Sequence, residues 1–236
     1  MGYAKRSAKR VGILMARDLT GTTIVIIGAT GVLGSCLARQ LADAGVHVAA
    51  IVRDSASLDP AVVSAHAVAD ITDHAALRSA FAGLGPIDGV INAAGAVAFG
   101  TLAELDDETL TELFAINAIG PIVALRESTP HIKEGGFFVN ISGVVALQPM
   151  AGLAAYSASK AAAWSAMTSV ARELRRQKID VIDARPPHTE TGLATRPLSG
   201  TAPNLPVGLD PNVVAARIIA GIADGERDLP VEAFQA

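Results

Sequence analysis

Tyr156 and Lys160, four residues apart in "AAYSASKAAA", are the residues of this chain best suited by type and spacing to do chemistry. The small, helix-favouring residues around them predict a helix, which places positions i and i+4 on one face. A free phenol ionises near pH 10 and is a weak acid–base group at neutrality; a neighbouring ammonium favours the phenolate, at about 1.4 kcal/mol per pKa unit. A tyrosine tuned in this way can exchange a proton with an oxygen atom. Upstream, Ser142 closes the apolar run "GFFVNIS" and adds a hydroxyl. The pair alone is weak, since coincidence supplies one in roughly 4% of chains with two tyrosines and five lysines at this length. Its meaning depends on the elements that position it.

Those elements alternate. "TTIVIIG" (22–28), "HVAAIV" (47–52), "VSAHAVAD" (63–70), "DGVINAAG" (88–95), "GFFVNIS" (136–142) and "IDVIDA" (179–184) are β-branched or apolar runs that predict strands. Between them lie helical patterns: one through "LARQLADAG" stopped by Gly45, one at 73–85, one from Asp107 to Ser128 ending before Pro130, and one from the tyrosine stretch to about Gln177. Strands that are continuously apolar are buried on both faces, as in parallel sheets covered by helices. The expectation is a single α/β domain, a doubly wound parallel sheet. A proline- and glycine-rich stretch, 196–208, predicts a functional loop, within a lid at about 187–209. A short helix (211–224) and a vestigial strand (228–234) follow.

Composition narrows the function. Half the residues are hydrophobic and 18% charged, with a net charge of −4 and a sequence pI of about 5.7. That balance argues against nucleic acid and anionic membranes, which select basic patches. The single cysteine, Cys36, excludes an intramolecular disulfide and a cysteine metal cluster, and the five histidines are scattered, so no metal is expected. Residues 1–17 read as a flexible extension before the domain at 18–236. Their apolar run "VGILMA" is shorter than the roughly seven residues a signal core needs. No later stretch reaches the ~20 apolar residues of a membrane span, and a cytoplasmic location is expected.

"GATGVLG" sets Gly28, Gly31 and Gly34 between the first strand and the first helix. Glycines there let backbone approach a pyrophosphate, and helix N–H groups and dipole favour its charge. The loop's cofactor-facing residues are then Gly28, Thr30, Gly31, Leu33 and Gly34.

Taken in order, "GATGVLG", "DITD", "INAAG", "INAIGP", Ser142, "YSASK" and "RPPHTET" make the chain resemble the short-chain dehydrogenase/reductase family, over about residues 20 to 225. The resemblance implies a Rossmann fold, an NAD(P)-dependent oxidoreductase and a role for each matching position. Tyr156 would be the general acid when a carbonyl is reduced and the base when an alcohol is oxidised. Lys160 would bind the nicotinamide ribose and lower the tyrosine's pKa, Ser142 would hold the carbonyl oxygen, and Asn117 would hold a water relaying protons to Lys160. Asp70 and Ile71 would meet the adenine. Asn92, Ala93 and Gly95 would line the adenosine ribose side, and Pro186, Thr189 and Thr191 the nicotinamide end. The family commonly forms dimers or tetramers through the helices carrying Asn117 and Tyr156, so a homo-oligomer is expected.

Three positions depart from the family pattern: Ile27 replaces a usual threonine, the glycine spacing is that of the epimerase-like branch, and Pro187 stands where Pro-Gly is usual. At the end of the second strand Val52 cannot accept bonds from a ribose 2′-hydroxyl, whereas Arg53 can pair with a 2′-phosphate. Asp54, next in sequence, could instead bind a ribose or neutralise Arg53; the family's register favours Arg53 as the reader, and NADP(H) is expected over NAD(H). Candidate substrate walls (Val144, Gln148, Met150, Leu153, His188, Leu193, Leu198, Leu205) are mostly apolar and suggest a non-ionic carbonyl or alcohol. The alternatives are a sugar-nucleotide epimerase or dehydratase, for which the 45 residues after Thr191 are too few to make a substrate domain, and a non-catalytic cofactor-sensing protein, which typically loses the tyrosine or lysine.

Overall fold

A computed structural model describes residues 16–235. Seven strands form one parallel sheet in the order β3-β2-β1-β4-β5-β6-β7. They are β1 (Thr23–Ile27), β2 (His47–Val52), β3 (Ala65–Val68), β4 (Ile87–Asn92), β5 (Ile132–Ile141), β6 (Asp180–Ala184) and β7 (Asp228–Leu229). Six main helices accompany them: α1 (Val32–Asp43), α2 (His74–Leu84), α3 (Asp107–Phe114), α4 (Gly120–Ser128), α5 (Ala154–Glu173) and α6 (Pro211–Ala223). The fold is the expected doubly wound Rossmann sheet. The edge strand β3 is mostly exposed, which explains its weak apolar signal.

Strand side chains alternate between two cores, following the period of two. Ile24, Ile26, Val48 and Ala50 pack with Leu37 and Leu41 of α1 and with Val214 and Ile218 of α6. Val25, Ile27, Ala49 and Ile51 pack with Phe81 of α2, Val123 of α4 and Met167 of α5. Asn92, Asn140 and Asp183 share strand parity with Val90, Phe138 and Val181, so they lie on this second face, at the carboxyl ends of β4, β5 and β6.

The long helix expected over 107–128 is not uniform. A π-helical turn, Ala115–Ile119, joins α3 to α4, and the Gly120 N–H reaches back to Ala115 O. Such widened turns concentrate at functional sites, and this one carries Asn117. The helical run Asp107–His131 is long and apolar enough to cross a membrane by composition; half of its 18-residue apolar stretch is buried inside the domain, where α4 packs against α2 and α5.

The N-terminal extension lies outside the described residues up to Met15. Arg17 belongs to the folded part: its backbone N–H donates to Ala223 O at 2.6 Å, its guanidinium pairs with Asp180, and it lies 5.7 Å over the Phe137 ring.

Candidate active site

The glycine loop is built for close backbone approach. Gly28 has φ +82°, a left-handed conformation that favours glycine, and a Cβ there would stand 2.9 Å from Ala94 N. A Cβ on Gly34 would fall 2.2 Å from Gly28 O, so only glycine lets α1 start this close to β1. The N-cap Gly31 offers no side-chain cap, which leaves the first-turn N–H groups of α1 open to an anion. Of the loop's expected contacts, Thr30 is exposed and Leu33 half-buried. The residues present fit a pyrophosphate.

At the end of β2, Arg53 is 79% exposed in its side chain and its Nε lies 3.9 Å from Asp70 Oδ2, a loose surface pair. Asp54 does not neutralise it at hydrogen-bond range; Asp54 Oδ1 accepts from Ala56 N–H and closes its own turn. Asp70 Oδ1 is likewise occupied by Thr72 N–H and hydroxyl. The Ile71 side chain is buried, where a Cβ on Gly120 would strike it at 2.8 Å, so a base could meet Ile71 only through its backbone.

The catalytic candidates converge at the carboxyl ends of β4 and β5, where doubly wound sheets bind ligands. Gly95 sits between two of them: a Cβ added there would lie 3.2 Å from Lys160 Nζ and 3.3 Å from Asn117 Oδ1. Asn117 is buried and spends its amide on the loop after β4, accepting from Ala96 N–H at 3.0 Å and donating to Ala96 O at 2.8 Å and Ser159 Oγ at 3.1 Å. Its side chain thus pins the π turn to that loop. Lys160 Nζ donates to Ile141 O at 2.9 Å, and burial lowers its pKa to about 8 despite the opposing charge of Asp183.

Tyr156 stands in an apolar box made by Val97, Phe99, Val145, Leu153 and Leu193. Burial pushes its phenol up to about 12. Desolvation of the phenolate is the cause, and it acts opposite to the lowering expected from Lys160. The lid is latched over the box. Leu198 N–H donates to Val97 O at 2.8 Å and Phe99 N–H to Ser199 O at 2.9 Å. Among the expected walls, Leu153 and Leu193 line the box with Val144 beside them, whereas Gln148 and Met150 are exposed.

Ser142 does not behave as expected. It is 1% exposed, and its hydroxyl donates to Asp183 Oδ1 at 2.5 Å. A serine has one proton, so none is left for a carbonyl oxygen while Asp183 accepts it. The cause lies on the neighbouring strand. Asp183 is paired in register with Asn140, and it also accepts from Asn140 Nδ2 at 3.0 Å and Arg185 Nη1 at 3.2 Å. Asn92 Nδ2 donates to Asn140 Oδ1, and Arg185 Nη2 to Asp228, which extends the polar ladder from β4 to β7. Sequence reasoning missed Asp183 and Arg185. Their signal was an acid and a base at i and i+2 within "VIDAR", in a strand otherwise apolar and buried, where a charge must be paired.

At the far end, Pro186 is buried and its carbonyl accepts from Val144 N–H at 3.0 Å. Thr189 Oγ1 donates to Pro187 O at 2.9 Å and forms a parallel bridge with Leu209, while Thr191 is half-buried beside it. Ala93 N–H is taken by Ile27 O.

The short chain dehydrogenase family matches residues 22–200, and the chain belongs to that family: it is an NAD(P)-dependent oxidoreductase. It is 31% identical over 192 residues to a 2,3-dihydro-2,3-dihydroxybenzoate dehydrogenase of Bacillus subtilis, covering 75% of this chain and 74% of that one. It is also 31% identical to a cyclic-di-GMP-binding biofilm dispersal mediator protein of Escherichia coli, covering 76% and 78%. Among solved structures it resembles a short chain dehydrogenase of Burkholderia cenocepacia in complex with NADP, with 27% identity, a TM-score of 0.79, and 93% and 100% of the two chains covered.

Proposed function

We propose that the chain transfers hydride between NADP(H) and a small, apolar carbonyl or alcohol, with Tyr156 as the acid–base group. The observation that carries this is the apolar box around Tyr156, with Lys160, Asn117 and Gly95 gathered at the adjoining strand ends. Bound along the glycine loop, the dinucleotide would supply or accept the hydride; the chain's own residues handle the proton and the fit. A phenol held near 12 keeps its proton at neutral pH, which suits it to donate to the oxygen of a carbonyl being reduced. Lys160, with a pKa of about 8, exchanges protons near working pH and can restore the phenol's proton, with a water between Asn117 and Lys160 as the expected relay. The side chains of the box offer no charge to pair with an ionic substrate.

NADP(H) preference rests on Arg53, whose exposed guanidinium has, among the described residues, only the loose 3.9 Å contact to Asp70 to give up for a 2′-phosphate. A charged contact of this kind gives about 1–3 kcal/mol, a tenfold to hundredfold preference. Measuring kcat/KM for NADPH and NADH in wild type and Arg53→Ala tests it: equal wild-type efficiencies, or an unchanged ratio in the variant, would remove the assignment. A cofactor-oxidation screen against aldehydes, ketones, quinones and β-keto esters would name the substrate. A homo-oligomer is part of the same proposal, supported by Ile119 and Ile122 on the Asn117–α4 segment, which stay 47% and 40% exposed. So is a reducing, cytoplasmic setting, supported by the single cysteine.

A further inference from the structure

The mechanism above leaves two buried charged groups without a task, Asp183 and its partner Arg185. Asp183 is 5% exposed at the end of β6, on the sheet face that α4 and α5 cover. Its two carboxylate oxygens accept from Asn140 and Ser142, the residues on either side of Ile141. Ile141 O is the atom that receives Lys160 Nζ. The carboxylate and the ammonium are therefore anchored to the same three-residue stretch of β5. The charged and titratable groups facing Asp183 are Lys160 from α5 and Arg185 from β6, with Asp228 of β7 beyond Arg185. Those facing Lys160 are Asp183 and, one turn away on its own helix, Tyr156.

We propose that Asp183 is a positioning residue: its buried carboxylate accepts the hydrogen bond of Ser142, fixes the end of β5 that holds Lys160, and sets a negative charge beside the Lys160 ammonium. The geometry gives the reason. Lys160 is buried with a single neutral acceptor, and an uncompensated buried ammonium loses its proton readily. Asp183 is the buried opposite charge acting on it, in the sense that holds the proton on. Burial pushes the Asp183 carboxyl up; the hydrogen bonds from Ser142 and Asn140 and the charge of Arg185 oppose that and favour the carboxylate, and Arg185 ties it to β7. The Ser142 hydroxyl then serves the carboxylate, and the substrate oxygen is left to Tyr156 and backbone donors.

The proposal rests on Tyr156 and Lys160 being the proton-transfer pair, and its test separates the two. The chain has only five lysines, so selective [13Cε]lysine labelling resolves Lys160 by NMR, assigned with Lys160→Met. In Asp183→Asn the Lys160 titration should move to lower pH by roughly one unit or more, the size expected from removing a nearby opposite charge. The alkaline limb of the kcat/KM profile for carbonyl reduction should move with it. Asp183→Ser, which still offers Ser142 an oxygen, carries the same expectation should the asparagine variant not fold. An unmoved Lys160 titration in either folded variant overturns the role of Asp183, whatever the reaction is. A titration that moves while the rate profile stays put overturns Lys160's part in the reaction, and with it the positioning role.

Discussion

At the residue scale, Tyr156 and Ser142 make opposite predictions although both carry hydroxyls. Tyr156→Phe removes the transferable proton and little volume, so kcat should fall by about 10²–10⁴ while cofactor affinity, read by fluorescence titration, stays near wild type. Retention of a tenth of the wild-type rate would refute the role. Ser142→Ala should show the reverse balance. A serine acting as an oxyanion donor would lose about 10²–10³ in kcat on removal. A serine whose hydroxyl is committed to a hydrogen bond with Asp183 should lose less than tenfold. The cost should appear in stability instead, about 1–3 kcal/mol for a buried carboxylate left one donor short, seen as a lower Tm in calorimetry. A large kcat loss at unchanged Tm would return Ser142 to the substrate oxygen.

At the scale of elements, three irregular pieces do the positioning. The π turn at Ala115–Ile119 puts Asn117 against the loop after β4, the short helix Val144–Ala146 turns β5 toward α5, and the lid joins its edge to Val97–Phe99. The lid's latch depends on Gly200, at φ +75°, where a Cβ would stand 1.8 Å from Phe99 O. A side chain there meets both left-handed strain, about 1–2 kcal/mol, and a backbone collision. Gly200→Ala should therefore unlatch the lid. KM for the carbonyl should rise several-fold and proteolysis between 193 and 208 should quicken, while far-UV circular dichroism stays unchanged. Unaltered KM and cleavage would show that the latch does not govern substrate access.

For the whole molecule, the buried Lys160 is a stability liability with a defined sign. Its pKa falls from 10.5 to about 8 on folding. Between pH 8 and 10.5 the unfolded chain keeps a proton that the folded chain has released, so stability rises with pH across that window; below pH 8 the full penalty applies. At about 1.4 kcal/mol per unit the difference is on the order of 3 kcal/mol. Wild type should therefore gain stability relative to Lys160→Met between pH 8 and 10.5, in denaturant titrations at each pH. A difference that is flat with pH would mean the lysine is not desolvated. The sheet can bear such a charge because its central strands carry apolar cores on both faces, and the polar ladder from Asn92 to Asp228 is confined to the strand ends, where each member is paired.

The sequence by itself determined the alternation of strands and helices, the parallel sheet, the glycine cradle and the Tyr156–Lys160 pair, because each is encoded locally: by side-chain period, by a residue needing positive φ, or by i, i+4 spacing. It set Arg53 just after the second strand, whereas Asn117, expected on one continuous helix, lies in the π turn Ala115–Ile119. What it could not settle were the partners chosen across strands. Whether Ser142 served a substrate or an aspartate depended on the register between β5 and β6, which sets Asp183 opposite Asn140. How far Val97, Phe99 and Leu193 desolvate the tyrosine is likewise a tertiary matter, and desolvation and a neighbouring positive charge pull the phenol in opposite directions. Those contacts join residues tens of positions apart, and only the tertiary packing brings them into range.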